Sequence, residues 1–503
     1  MAFATPILPK VSSFVGQQVP AFVGGQHRAG TDAGTFETRD PATGAIVATV
    51  ARCGPGDVEA AVAAAEAALD DAWGAMRPKE RTDLLLDVAE AIRGHRDELA
   101  HLETLDCGML LADSFAEVDE AVEHFRYFAG WATKVYGEVI PVSPADRWLN
   151  FTKPIPVGVC AGIIAWNTPI NNAVWKLGAP LAVGCPVILK PAEQTPLTAL
   201  YLADVLAEAG VPRGAVSILP GYGDVGAALA AHPRVRKVAF TGSTEVGREI
   251  VRASAGNLKH VALELGGKSP AVVLPDADVD AVATGLLQGT FWNAGQVCCA
   301  SSLVLAHVDV ADAVLDAIAS RATSLRVGSG FDPATEMGPL ISEEQLDRVL
   351  SYVGRAHRAG ASLVTGGERL GGELAAGCFV SPTLFTGVAP DDELAREEVF
   401  GPVLAAMTFT STEELRQLAN GSGYGLSASV WTRDVGRALD TVDLLDAGIV
   451  WVNGHTVLDL ASPFGGTNRS GHGRELGRDA VESYLERKSV WIRHGDGDRV
   501  PVA

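Results

Sequence analysis

The sequence predicts an α/β protein: a parallel, doubly wound sheet followed by a second domain of the same kind. Three observations predict it. Between residues 155 and 273, short apolar runs rich in Val and Ile alternate with amphipathic segments, the order of successive βαβ units. The alternation resumes after residue 300. Two further extended stretches, one before the first block and one near the C-terminus, belong to neither.

The elements follow in order. Residues 57–71, "DVEAAVAAAEAALDD", read as a helix with an Asp start and an Ala-rich body, and a second long helical region spans 78–105. "VYGEVIPV" and "RWLNFTKPIPV", within 135–157, read as a hairpin. "IPVGVCAGIIAW" is apolar and β-branched, the pattern of a strand buried on both faces. "PVILK" is a strand, "PLTALYLADVLAEAG" an amphipathic helix closed by Gly, "AVSILPG" a strand and "VGAALAAHP" a helix. "VRKVAFTG" is a strand, "STEVGREIVRAS" a helix, and "HVALELGGKSPAVVL" returns to strand. Beyond 300, "ASSLVLAHVDV" is a strand and "ADAVLDAIASRATSL" a helix; "FVSPTLFTGV", "GPVLAAMTF" and "SASVWT" are further strands. "ESYLERKSVWIRH" reads as extended, and it and the hairpin are candidates for pairing with another subunit.

Composition excludes several function classes. The 503 residues carry a formal net charge of −21, which disfavours both a nucleic-acid backbone and an anionic membrane surface. No run approaches the roughly 20 apolar residues of a membrane span, and the first residues lack a signal-peptide pattern. Cys53, Cys107, Cys160, Cys185, Cys298, Cys299 and Cys378 form no CxxC pair, so no metal site is expected and a reducing, cytoplasmic setting is the simpler reading.

Several short stretches could carry chemistry. Gly221, Gly223 and Gly226 match GxGxxG between a strand and a helix, which is a phosphate loop or a plain turn. Gly242 and Ser243 stand where a strand passes into a helix. That junction is either a diphosphate cradle at a helix N-terminus or a capped helix. Lys190 and Glu193 close a strand where ribose hydroxyls are commonly met, or form a solvated loop pair. A thiol at 298 or 299, a carboxylate at Glu264 and an amide at Asn167 are the parts acyl chemistry needs, though each alone is more often structural.

Taken together, "AWNTP", "LKPAEQTP", "FTGSTEVG", "ELGGKS", "GQVCC", "EEVFGPV" and "SPFGG…SGHGRELG" resemble the aldehyde dehydrogenase superfamily, in its order and across nearly the whole chain. The likeness is to the NAD(P)-dependent, non-acylating branch. The Gly-Gln-x-Cys register then selects Cys298 as nucleophile and leaves Cys299 to packing, on the argument that neighbouring side chains diverge.

The resemblance implies two doubly wound, Rossmann-like domains and a small bridging β-sheet. Cofactor binding falls to 1–133 and 157–266, catalysis to 267–481, and oligomerisation, as a homodimer or homotetramer, to 134–156 and 482–503. It implies that Cys298 attacks an aldehyde, that Asn167 holds the oxyanion, and that Glu264 activates the water that hydrolyses a thioester. Lys176 and Glu475 match a proton relay. Lys190, Glu193, Gly223 and Gly226 match the adenosine end of NAD, and Gly242 and Ser243 its diphosphate. Glu398 and Phe400 match the nicotinamide ribose and ring. Ile164, Ala165, Trp166, Phe240 and Leu265 complete the cofactor set, with Trp166 and Phe240 flanking it. Glu193 favours NAD over NADP, because a 2′-phosphate would meet like charge, although Lys190 beside it could offset that charge.

The implied aldehyde pocket is Thr168, Asn172, Trp175, Trp292, Val297, Leu458 and Phe464. Thr168 and Leu458 replace common aromatics, and Asn468 stands where Lys is common. Asn171, Asn172 and His455 are expected to bring polar groups to the passage, so the expected substrate is wider than acetaldehyde and carries a polar group. Three other readings remain: a CoA-acylating relative, which usually lacks the base; a non-catalytic protein on the same fold; and a thiol hydrolase.

Overall fold

The computed structural model describes residues 7–31, 34–143 and 148–494. Its first sheet has five parallel strands at its centre: β1 (Cys160–Ile163), β2 (Val187–Lys190), β3 (Val216–Ile218), β4 (Lys237–Gly242) and β5 (His260–Leu265). Their spatial order is β5-β4-β1-β2-β3. The chain therefore runs outward from β1 to β3 and then returns to lay β4 on the other side of β1. Such a reversal opens a crevice at the carboxyl ends of β1 and β4, the place where doubly wound sheets bind ligands.

Alternate residues of these strands feed two separate cores. Val187 and Leu189 pack on one face, while Ile188, between them, packs on the other. This is why the strands are near-continuously apolar. Each fully buried Val, Leu or Ile contributes about 1.5–3 kcal/mol of hydrophobic stabilisation.

The second sheet contains β6 (Pro270–Val273), β7 (Leu303–His307), β8 (Val403–Phe409) and β9 (Ser427–Trp431). Its order is Ser362–Thr365, Thr383–Thr386, β8, β7, β6, β9, Ile449–Val452, and every pair is parallel except the first. Only residues 266–269 separate β5 from β6, so the single extended stretch read from "HVALELGGKSPAVVL" is two strands in two sheets.

The bridging sheet pairs Leu485–Arg493 antiparallel with Trp148–Pro156, which also holds Val139–Ile140. Its apolar side chains are unusually open: Val139 is 72% exposed and Trp491 50%. Part of the expected 134–156 segment, residues 144–147, and the end of 482–503 lie outside the described residues.

Four features differ from the reading of the sequence. The helical region 78–105 is two helices, Pro78–Gly94 and Arg96–Cys107, broken at His95. A long helix, α1 (Leu111–Ala129), stands where no element was read. The chain also recrosses between domains before residue 481. Gly471–His472 pairs with β5 in the first sheet, and Ala480 and Val481 join the first domain's core. The carboxyl half of "ESYLERKSVWIRH" is strand, whereas Glu482 ends the helix Gly477–Glu482.

Candidate active site

A cavity of about 460 Å³ opens between the two domains. Its floor combines the crevice of the first sheet with the turn that leads into the second. The loop after β1 supplies Ala165, Trp166, Asn167 and Thr168. The end of β4 supplies Thr241, Gly242 and Ser243, and the end of β5 supplies Glu264, Leu265 and Gly266. Helix α2 (Pro169–Trp175) follows that first loop. Glu103 Oε1 accepts from the Ile170 amide in its first turn, and burial pushes the Glu103 carboxyl up to about 7.

Helix α3 (Thr244–Ser254) begins at Ser243, whose hydroxyl accepts from the Val246 amide at 3.3 Å. Ser243 is thus a helix cap and a cavity residue at once.

Cys298 sits beyond helix α4 (Val279–Phe291), after a turn of unusual backbone. Asn293, Ala294 and Gly295 all lie in the left-handed region, at φ 49°, 53° and 71°. A Cβ on Gly295 would stand 2.3 Å from the Gly401 carbonyl oxygen, so only glycine fits against that loop. Gln296 pins the turn from within: Oε1 accepts from the Ile341 amide at 2.8 Å, and Nε2 donates to the Asn293 carbonyl at 3.0 Å. Asn293 Nδ2 donates to the Asn167 carbonyl at 2.8 Å, tying the turn to the loop after β1.

The Asn167 side chain is held at both ends. Nδ2 donates to the Gln296 carbonyl at 3.1 Å, and Oδ1 accepts from Asn172 Nδ2 at 3.2 Å. Its amide donor therefore faces the backbone just before Cys298. Asn172 lines the cavity, but its amide orients Asn167.

Both cysteines reach the cavity. Cys298 is half-buried, whereas Cys299 packs with Leu426, Phe464 and Leu476. The expected divergence of the neighbouring side chains is incomplete. The adjacent Cys299 thiol is the largest cause pushing the Cys298 thiol well up, followed by burial and by the nearby Glu398 and Glu264 carboxylates.

Glu264 is 4% exposed, and neither carboxyl oxygen has a hydrogen-bond partner. Burial pushes it well above the usual carboxyl range and Glu475 pushes it further, against Lys176 and Arg474. Lys176 and Glu475 form a fully buried ion pair outside the cavity wall. Glu398 Oε1 accepts from the Gly267 amide at 2.9 Å. Its other oxygen would lie 2.1 Å from a Cβ at Gly266, and a Cβ at Gly267 would lie 2.6 Å from the Cys298 carbonyl oxygen, so both positions favour glycine. Burial raises Glu398 to about 7.

Trp175, Trp292, Val297, Phe400, Leu458 and Phe464 also line the cavity, with Trp175 edge-on to Phe464 at 5.2 Å. Ile164, Lys190, Glu193, Gly223, Gly226 and Phe240 do not. Lys190 ends β2, donates to Glu193 at 3.1 Å, and accepts from the Ile164 amide through its carbonyl. Gly223 starts a helix and has open space where a Cβ would be. These groups continue the crevice along the strand ends. Phe240 shares a β4 face with Val238 in the core, and the rim of its ring lies against Gly242.

His455 does not stand where the sequence suggested. Its Nε2–H donates to the Cys299 carbonyl at 2.7 Å and Nδ1 faces the Ser301 hydroxyl, behind the turn that carries Cys298. Burial lowers it to about 4, so it is a neutral brace for the turn and offers nothing to the passage.

The sequence reading missed two groups. Gln345 and Arg348, on helix α5 (Glu343–Ala359), donate to the Phe400 and Glu398 carbonyls and fix the "EEVFGPV" loop. Glu117 and Glu120, on α1, line the cavity mouth.

A sequence profile of the aldehyde dehydrogenase family matches residues 27–490. The chain belongs to the aldehyde dehydrogenase family. It is 45% identical to a phenylacetaldehyde dehydrogenase of Pseudomonas fluorescens, covering 94% of this chain and 95% of that one. It is 44% identical to the human mitochondrial aldehyde dehydrogenase, over 91% and 89% of the two chains. Its fold is similar to that of an aldehyde dehydrogenase from Bacillus cereus solved in complex with NAD+, at a TM-score of 0.95 and 44% identity, covering 97% and 99%. The enzyme is thus an oxidoreductase acting on aldehydes. Among the described residues, no helix is long and apolar enough to cross a membrane.

Proposed function

We propose that this aldehyde dehydrogenase converts an aldehyde, NAD+ and water into a carboxylate, NADH and two protons, through a thioester on Cys298. The observation that carries the reading is one cavity holding Cys298, the oriented Asn167 amide and the buried Glu264, continuous with the cleft at Gly242 and Ser243. The residues present fit a dinucleotide. The β1/β4 crevice has a helix N-terminus at Ser243, open space above Gly223, and carboxylates at Glu193 and Glu398 suited to ribose hydroxyls. In this reading Lys190, Glu193, Gly223 and Gly226 hold the adenosine end, Gly242 and Ser243 the diphosphate, and Glu398 and Phe400 the nicotinamide riboside. Ile164, Ala165, Trp166 and Leu265 form the adjoining walls. Bound there, NAD+ supplies the hydride acceptor.

Cys298 Sγ, once deprotonated, adds to the aldehyde carbon. The Asn167 Nδ2–H and the Cys298 backbone N–H stabilise the oxyanion. Loss of hydride leaves the thioester, Glu264 takes a proton from the attacking water, and the carboxylate leaves as the thiol is restored. Glu475 and Lys176 relay that proton away from Glu264, for release to water. Glu193 makes NAD the preferred cofactor over NADP. The retained base argues against CoA as acyl acceptor, and the complete catalytic set argues against a purely structural or binding role.

The seven free thiols suit a reducing compartment, the cytoplasm. The exposed apolar strands around Val139 and Trp491 suit pairing with a second copy, as a homodimer or homotetramer. The test is NADH absorbance with an aldehyde panel, for the native enzyme and Cys298→Ala. An aldehyde-dependent signal absent from the variant supports the reading, and no signal with any aldehyde overturns it.

A further inference from the structure

Glu117 and Glu120 lie one turn apart on α1, and both face the cavity. Glu117 is 8% exposed, and its Oε2 is buried without a partner. Glu120 Oε2 accepts from Asn171 Nδ2 at 3.2 Å. That bond fixes the amide orientation, so the Asn171 Oδ1, also buried and without a partner, is an acceptor. Asn171 itself lines the cavity and is 5% exposed. One turn earlier on α1, Asp113 faces the Trp292 indole.

This wall therefore carries two carboxyls, a third acid behind them and an unmatched amide oxygen. Among the described lining residues the one cation is Arg348, and it donates to the Glu398 carbonyl at the other end of the site. The unpaired donor on the wall, Trp175 Nε1, is neutral and leaves the charge unbalanced. Burial pushes both glutamates up, and for Glu117 the charges of Glu120, Glu103 and Asp113 add to the effect. Ionised buried carboxyls with no cation are costly, and a cation placed among them offsets part of that cost and favours their ionised form. Indole faces at Trp175 and Trp292 would add cation–π attraction.

Resting on the aldehyde-oxidising reading above, we infer that the preferred aldehyde carries a cationic amino group at the end of a short carbon chain. Glu117, Glu120 and Asn171 receive that group while the carbonyl sits at Cys298. The apolar walls of Trp175, Phe464 and Leu458 suit the chain between the two ends. Anionic aldehydes are repelled from the same mouth.

The test compares kcat/KM across matched sets: short ω-aminoaldehydes, a trimethylammonio aldehyde, the n-alkanals of equal length, their ω-hydroxy analogues and the ω-carboxy aldehydes. The cationic members should lead the alkanals by at least about tenfold, which is about 1.4 kcal/mol of differential binding, with the carboxy aldehydes last. Glu120→Gln, close in shape and still able to accept from Asn171, should reduce the ratio of cationic to uncharged kcat/KM on the order of tenfold, and Glu117→Gln should do the same. Glu120→Lys should raise the carboxy aldehydes above the aminoaldehydes. A lead by alkanals or hydroxy aldehydes in the native enzyme, or a ratio unmoved by both Gln variants, overturns the inference while leaving aldehyde oxidation intact. Failure of every aldehyde to reduce NAD+ instead overturns the broader reading.

Discussion

The two ends of the cavity are built by opposite means. At the reacting end, Glu264 stands at the close of β5, and Asn167, Cys298 and Glu398 stand on turns locked by backbone: Asn167 on the Gln296 carbonyl, Glu398 on the Gly267 amide, Cys298 after a left-handed run. At the mouth, Glu117 and Glu120 stand on the continuous face of α1, held by side chains alone. Turn-mounted groups cannot change without moving backbone, so they fix the chemistry. Helix-mounted groups can change singly, so they are where substrate choice can vary.

The sharpest break of this comparison is at the sulfur. Cys298→Ala should abolish NADH formation, whereas Cys299→Ala should retain most of it. Because the adjacent Cys299 thiol is the largest cause raising the Cys298 thiol, Cys299→Ala should also speed iodoacetamide labelling of Cys298 near neutral pH. Mapping the inactivating label to Cys299 would reverse the assignment.

Next in size is Glu264→Gln. With NAD+ and aldehyde it should give a burst of NADH near one equivalent and then slow turnover, seen by stopped-flow absorbance. Loss of the burst would place Glu264 before hydride transfer as well.

A smaller effect should come from Asn172→Leu. It removes the donor that orients Asn167, and kcat should fall on the order of tenfold with KM little changed. An equal shift in KM would put Asn172 on the substrate.

The smallest is a shift in pH. Glu475 raises Glu264, so Glu475→Gln, which removes that like charge, should move the acid limb of kcat to lower pH. The sign is fixed: a base with a lowered pKa stays deprotonated further into acid. An acid limb that stays in place would separate Glu475 from the relay.

This contrast also explains what the sequence could show. The reacting end was legible because turns need particular residues: the glycines at 266 and 295, Asn167 before a proline, and Cys298 after Gly-Gln. The alternation that marks β1 to β5 was legible because each strand is buried on both faces. Helix α1 was not, because its inward positions include Ser114, Glu117 and His124, which interrupt the apolar periodicity. Phe240 follows the period-two face of β4 into the core beside Val238, a pattern readable in principle. His455 comes from a loop whose path no local pattern sets.

The left-handed run at Asn293 to Gly295 has a consequence for heat. Two non-glycine residues held there cost about 1–3 kcal/mol each and persist while the Asn293 and Gln296 side chains pin the turn. That turn holds stored strain, whereas β6 and β7 behind it sit in a fully buried core. Warming therefore releases the turn ahead of the sheets. Inactivation should precede melting, and the midpoint of an activity-loss curve should lie below that of the circular dichroism transition.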